Sequence, residues 1–388
     1  MTTILDKRWF DELSVLINSI NDDSEWIQNR LQIEAEERER FIDNEIENPL
    51  FSYGQPSKTD QQIIDAHNRL EKLSEAILAE EENTVVSDLY TRKIKNQHIR
   101  IELVQASLSK NDKEFYRLSS QLHGKPKKKY FAYVAKQVVA LCKQASENHP
   151  AEARRLKKVV SKIDVSAVDI SADILPPIVT AGTLITTTSE VVAIFKEVLD
   201  SYGITGWKLQ VDGSEKRTRF AVSATRKIVY IPSQSQLQQR SRPLTDLQVE
   251  ALAAQEIGVH VRRSFNGANT SLLLLQTGLD SHLLGEEGVA SYVQQQCEGA
   301  VEFYGFDRYL AASLAVGLDG TPRDFRAVFS LMVDYYTLQA AVSDATHKVV
   351  PFRAAWDVCV RIFRGTTGQT AGNIYTKDIV YMEGNIGI

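Results

Sequence analysis

The sequence predicts a predominantly helical α+β protein, on three observations. Apolar residues recur at helical spacing over most of the first 160 or so positions. Three short β-branched and aromatic runs, "GWKLQV", "RFAVSA" and "KIVYIP", follow between 206 and 232. Directly after them, "PLTDLQVEALAAQEIGVHVRRSFNG" carries the start signals of one well-specified helix. A chain of 388 residues exceeds the size at which one hydrophobic core usually stops growing, so more than one compact unit is expected.

Along the chain, residues 5 to 47 place Trp9, Phe10, Leu13, Leu16 and Ile17 at helical intervals within an acidic setting ("EAEERERFIDNEIEN"), and read as a long exposed helix or a helical pair. Pro49, Gly54 and Pro56 then break the helix in favour of an extended segment. Helical patterning returns from Gln61 to about Leu108 and from Asp112 to Leu122, with Gly124 and Pro126 as stop and restart, and continues to about Lys162. The basic "KPKKKY" run at 125–130 reads as a solvated helix start. Character changes near 165. "TTTSEVVAIFKEVLDSYG" is a helix with a cap-like Ser189 and a stop at Gly203, and the three short runs read as a small antiparallel sheet. The expected organisation is an acidic N-terminal helical segment (1–47), a helical region (48–165) and an α+β domain (166–388).

Composition narrows the function classes. Net charge is −5, which offers no electrostatic footprint for nucleic acid, and no apolar run approaches the ~18 residues that cross a bilayer. The first residues lack the basic-then-apolar pattern of a signal peptide, so a cytoplasmic protein without membrane partners is expected. Cys142, Cys297 and Cys359 are widely spaced, so neither a disulfide framework nor a zinc knuckle is expected.

In the well-specified helix, Thr245 and Gln248 form a capping box, and Leu244 with Val249 a hydrophobic staple. Leu252, Glu256, Val259 and Arg263 recur at three- and four-residue spacing, so Glu256 and His260 share a face. Gln255 and His260 are five apart, which turns about 140° on an ideal helix, so the two converge only if the helix is distorted. Gly258 is the candidate place for that distortion. Zinc hydrolysis needs nitrogen or carboxylate ligands, an open position for water and a carboxylate to take the water's proton.

With "GLDSHLLGEEGVA" downstream, the segment resembles the tyrosine carboxypeptidase family, which includes microtubule-associated members and bacterial proteins described as flavohemoglobin expression-modulating QEGLA motif proteins. That family's core is HExxxH, then Arg and Asn, then a TEEG segment. Glu256, His260, Arg263 and Asn266 fall in register, as do Glu286 and Glu287. "NPLFSYGQP" (48–56), "EFYRLSSQLHGKP" (114–126), "GWKLQV" and the "FRGT…YTKDIVY" tail (363–381) extend the likeness over most of the chain after residue 47.

The resemblance implies a zincin-like metallopeptidase of carboxypeptidase type, preceded by a helical region, and a further helical segment beyond "YTKDIVYMEGNIGI". By position, Glu256 is the implied general base, and His260 and Glu287 the implied zinc ligands. Gln255 stands where the family has its first histidine, and its neutral amide oxygen is a poor zinc ligand. His282, where the family leads one to expect an aromatic residue, is the candidate substitute ligand, against an ordinary loop histidine.

Arg263 is placed either to clamp a substrate carboxylate or to hold Glu287 or another buried carboxylate. Asn266 and Lys377 are further substrate-binding candidates, with Arg364 weaker. Glu286 serves either the helix dipole or a ligand's far side. Tyr375 and Tyr381 are candidate oxyanion donors, with core packing in a strand the alternative. An edge strand of the sheet is placed to pair with an extended peptide. The expected partner is a peptide or protein C-terminal tail. Three readings follow: a zinc carboxypeptidase, a pseudopeptidase that binds such tails without cutting, and a scaffold whose acidic N-terminal helices dock a partner.

Overall fold

Helix starts and stops follow their local chemistry closely in the computed structural model, which describes residues 4–20, 30–51, 60–166, 168, 170, 182–213, 220–238, 243–300, 302–342 and 350–388. The N-terminal helices are α1 (Ile4–Ile20), α2 (Arg30–Ile42), α3 (Asp60–Glu80), α4 (Thr84–Leu108), α5 (Asp112–His123), α6 (Lys128–Ala145) and α7 (Pro150–Val160). Asn83 caps α4 by accepting from the backbone N–H groups of Val85 and Val86, and Pro150 occupies the first turn of α7. Most of the turn segment expected after Pro49, residues 52–59, lies outside the described residues.

The acidic N-terminal segment does form a helical pair, but α1 is not exposed. Trp9, Leu13, Leu16 and Ile17 are buried in one core with Leu70, Ile77, Tyr90 and Ile94 of α3 and α4 and with Leu274 from the loop beyond the active-site helix. Asp6 accepts from the Tyr90 hydroxyl at 2.6 Å and from the Leu273 backbone N–H at 2.9 Å. The acidic residues around it are the solvent face of an amphipathic helix whose other face is core. Trp9→Ala is therefore expected to lower stability by about 3–5 kcal/mol, read by chemical denaturation. A loss below about 1 kcal/mol would mean that α1 is only peripherally attached.

Next come α8 (Thr188–Ser201), β1 (Lys208–Val211), β2 (Ala221–Ser223), β3 (Ile228–Ile231) and α9 (Gln234–Gln238). Thr187, not Ser189, caps α8, closing a capping box with Glu190, because a cap must precede the first helical residue. Gly203 follows the helix at φ +62°, the left-handed stop expected there.

The sheet is mixed rather than antiparallel. Its order is β1-β3-β2, with β1 parallel and β2 antiparallel to β3. Only β2 and β3 are joined by a tight turn, with Lys227 at φ +52°. Strands β1 and β2 lie on opposite edges of β3. Central β3 is the buried strand and packs with α8 and the active-site helix, while edge strand β1 is largely exposed.

The remaining elements are α10 (Asp246–Gln255), a π-helical turn (Glu256–Val261), α11 (Arg262–Ala268), a 3-10 turn (Leu273–Gln276), α12 (Leu283–Glu298), α13 (Phe306–Val316), α14 (Phe325–Val342), α15 (Pro351–Phe363), a second 3-10 turn (Thr376–Asp378) and α16 (Ile379–Gly387). The largest core joins α6 and α7 to α13, α14, α15 and α16, so it spans the composition change near 165. Helix α12 crosses α16 at Gly288 and Gly384, where a side-chain carbon on Gly288 would lie 2.5 Å from the Gly384 backbone. That close approach sets the position of the Glu286–Glu287 turn.

The "IYTKDIVY" run is a 3-10 turn followed by a helix, not a strand. Tertiary bonds set its conformation. The Thr376 N–H donates to Ser119 Oγ at 2.7 Å, and Arg361 and Arg364 converge on Asp378. All three cysteines are free.

Candidate active site

The active-site helix starts as its sequence dictates. Thr245 accepts from Gln248 N–H, Gln248 answers on the Thr245 N–H, and Leu244 and Val249 are buried in the core beneath. Regular α-helix ends at Gln255, and a π-helical turn runs from Glu256 to Val261. Such turns close i→i+5 bonds, which brings residues five apart toward one face. The five-residue interval from Gln255 to His260 is thus accommodated by the distortion that the spacing requires. Gly258 lies inside it, and a side-chain carbon there would meet the Tyr202 hydroxyl at 3.1 Å.

Helix α12 brings the opposing carboxylates. Glu286 Oε1 lies 2.7 Å from His260 Nδ1, and Glu287 Oε2 lies 3.9 Å from His260 Nε2. The two adjacent glutamates therefore divide the imidazole between them, one on each ring nitrogen. Arg263 donates to Glu286 Oε1 at 3.1 Å and to the carbonyls of Leu275 and Gln276. Of the two uses open to Arg263, its contacts are those of a holder of a buried carboxylate, and that carboxylate is Glu286 rather than Glu287.

His282 also turns to Glu286, with Nε2 at 3.2 Å from Oε2, while its Nδ1 bonds the Leu279 carbonyl at 2.7 Å. Burial holds His282 down at about 4, so it is neutral near pH 7. Asn266 is exposed on α11. Lys377 is half-buried in the second 3-10 turn, where its charge reaches both Glu287 and His123. Arg364 is half-buried, 3.3 Å from Asp378 and over the Tyr375 ring.

Electrostatics distinguishes the carboxylates. Burial pushes Glu256 up to about 6, with Glu287 and Glu286 adding to the rise and His260 opposing it. Burial raises Glu287 as well. Burial acts on Glu286 in the same sense, but the His260 bond and the charges of His260, Arg263 and His282 outweigh it and hold Glu286 down at about 2. For His260, burial opposes the charged form, yet the Glu286 bond and three surrounding carboxylates lift it to about 9. One permanently ionised carboxylate thus orients the histidine, while two softer ones line its other side.

The Gln255 side chain is buried, and its Oε1 has no hydrogen-bond partner among the described residues. An orphaned buried acceptor beside this cluster is costly unless a cation or a proton donor meets it. Among the described residues, no group of three or more His, Cys, Asp or Glu side chains is placed to hold a metal ion. The donors that would hold zinc are His260 and Glu287, with the unanswered Gln255 Oε1 as the candidate third, and that donor set is a weak one.

The site thus places a glutamate and a histidine on one distorted helix opposite a carboxylate pair from another, and the class, a tyrosine carboxypeptidase family, follows from comparison with known families. Residues 180–388, more than half of the chain, match the family described as microtubule-associated tyrosine carboxypeptidase, and the chain belongs to that family. No curated protein and no solved structure matches it.

Sequence reasoning left Glu286 between two roles and did not single out Asp378, Arg361 or Arg308. Asp378 is fully buried behind the tail, and Arg361, Arg364 and Arg308 keep it ionised against its burial. The "GEEG" doublet was the available signal for Glu286. Nothing local marks an aspartate in "YTKDIVY" as the partner of three arginines far from it in sequence.

Proposed function

We propose that the chain is a zinc peptidase of carboxypeptidase type that removes C-terminal residues from a peptide or protein tail, with Glu256 as general base. The observation that supports this is a His260 imidazole held by Glu286 at 2.7 Å on Nδ1 and faced by Glu287 at 3.9 Å on Nε2, with the buried Glu256 acted on by the charges of all three. Zinc held by His260, Glu287 and Gln255 would supply an acidified water and polarise the scissile carbonyl. Glu256, raised by burial to about 6, is poised near neutrality to take the water's proton and return it to the leaving amine.

Glu286 holds His260 Nδ1 and so directs Nε2 toward Glu287, the far-side support that metal-binding histidines usually have. Because His260 is protonated up to about pH 9 in the metal-free site, metal uptake displaces that proton. The family description supports a protein tail ending in tyrosine as the substrate. No described helix is long and apolar enough to cross a membrane.

The test is incubation with a peptide ending in tyrosine in the presence of zinc, with loss of the terminal residue followed by mass. Glu256→Gln should lower kcat by about 10²–10⁴-fold while leaving bound zinc unchanged. A second reading, a pseudopeptidase that binds tails without cutting, is favoured by the amide at position 255. Peptide binding without cleavage at saturating zinc would establish that reading over the first.

A further inference from the structure

Beside the cluster, between α4, the end of α5, the loop leading into α12, and α16, lies a cavity of about 270 Å³. Its wall carries Gln97 and Arg100 from α4 and His123 from the last turn of α5. Arg100 makes no hydrogen bond or ion pair among the described residues. His123 and Gln97 are at least nine-tenths buried, yet neither ring nitrogen of His123 nor Gln97 Oε1 has a hydrogen-bond partner among the described residues. Buried polar groups are nearly always satisfied, so the orphaned His123 nitrogens and Gln97 Oε1 on one cavity wall, beside the half-buried Arg100, point to a ligand.

Charge narrows the ligand. Lys127 at the rim is cancelled by Glu383 at 2.5 Å, and Glu383 in turn accepts from Tyr309. Lys93 donates only to the neutral carbonyls of Thr277 and Gly278. Burial, then the charges of Arg100 and Arg263, lower Lys93 to about 7, so Arg100 is the cation left for an anion. Burial, then Lys377, Arg100 and Arg364, keep His123 well below its ordinary range, so it is neutral with one donor and one acceptor. Gln97 Oε1 requires a donor. An inorganic phosphate would offer acceptors almost alone, whereas a carboxylate next to an N–H offers acceptors to Arg100 and to the His123 donor, and a donor to Gln97 Oε1. The cavity lies just below the ~300–1,000 Å³ of drug-sized pockets, which suits a single residue.

We propose that this cavity binds the carboxylate of an α-amino acid, with Arg100 as its bidentate partner, His123 as a second donor and Gln97 accepting from the adjacent N–H. His282 lies on the same wall and also meets Glu286, so one side chain separates the cavity from the carboxylate that orients His260. The choice of occupant rests on the carboxypeptidase reading: the residue is either the C-terminal one of an uncut peptide or the free amino acid after cleavage. Arg100 would then take the clamping task that the contacts of Arg263 leave open.

The test is calorimetric titration of the full chain with N-acetyl-glutamyl-tyrosine, with its C-terminal amide and with free tyrosine, repeated on Arg100→Gln, Arg100→Lys and Glu256→Gln. Arg100 makes no side-chain hydrogen bond or ion pair among the described residues, so its replacement removes none there. The acid should bind at least tenfold tighter than the amide. Arg100→Gln should erase that preference, and Arg100→Lys should restore part of it. Binding by the dipeptide alone assigns the cavity to substrate, and binding by tyrosine alone assigns it to product. Equal binding of acid and amide, or an unchanged preference in Arg100→Gln, would overturn the proposal. Glu256→Gln keeps the cavity, so an acid preference there without hydrolysis by the unaltered chain would sink only the peptidase reading. Hydrolysis without an Arg100-dependent preference would sink only this one.

Discussion

Gln255→His is expected to tighten zinc binding by two to three orders of magnitude. A full structural zinc site is worth ~10–16 kcal/mol over four ligands, so restoring one imidazole in place of a neutral amide adds roughly 3–4 kcal/mol. A π-helical turn runs from Glu256 to Val261 directly after position 255, which suits a five-residue ligand interval, and the Gln255 amide is buried, so the new imidazole replaces a buried group of similar size. Competition with a chromophoric chelator, run on both proteins at one pH, measures the change. Zinc should also raise the melting temperature of the variant more than that of the unaltered chain, since a ligand stabilises the fold in proportion to its affinity. Equal affinity in the two proteins would mean that position 255 contributes no donor, and the zinc reading would fall with it.

Asp378→Asn is expected to destabilise the fold by about 3–5 kcal/mol. Its carboxylate is fully buried and receives Arg361 directly and Arg364 at 3.3 Å, with Arg308 close enough to help hold it ionised. Neutralising it leaves buried guanidinium groups without compensation, which is the expensive way to break such a network. Replacing Asp378 and Arg361 together by apolar residues should restore part of the loss. Urea unfolding of the single and double variants tests this. A loss below about 1 kcal/mol would mean that water reaches the arginines. The tail also carries α16, whose crossing at Gly288 sets the Glu287 turn, so a loosened tail should weaken the site along with the fold.

Much of the fold was legible because the signals are local. Helical spacing, the cap at Thr245, the stop at Gly203 and the five-residue interval from Gln255 to His260 each act within a turn or two of chain, and each was realised. The sheet was misread where the pairing of β1 depends on how the chain passes β3 rather than on any residue in β1. The exposure of α1 was misread because its acidic side is visible in composition, while the surface that buries Trp9 comes from α3, α4 and Leu274.

By itself the sequence determined the helical α+β class, the active-site helix with its distortion, the pairing of that helix with a downstream Glu-Glu doublet, and the family. The first two rest on spacing along the chain, where geometry follows from residue order, and the last two on the resemblance that the separate motifs carry. The tertiary structure alone decided that Glu286 rather than Glu287 anchors His260 Nδ1, that Arg263 and His282 serve that carboxylate, that Gln255 Oε1 is orphaned, and that Arg100 and His123 face a cavity. Those assignments depend on which elements meet and at what angle. Such meetings are set by shape and burial summed over the whole core, which no window of sequence contains.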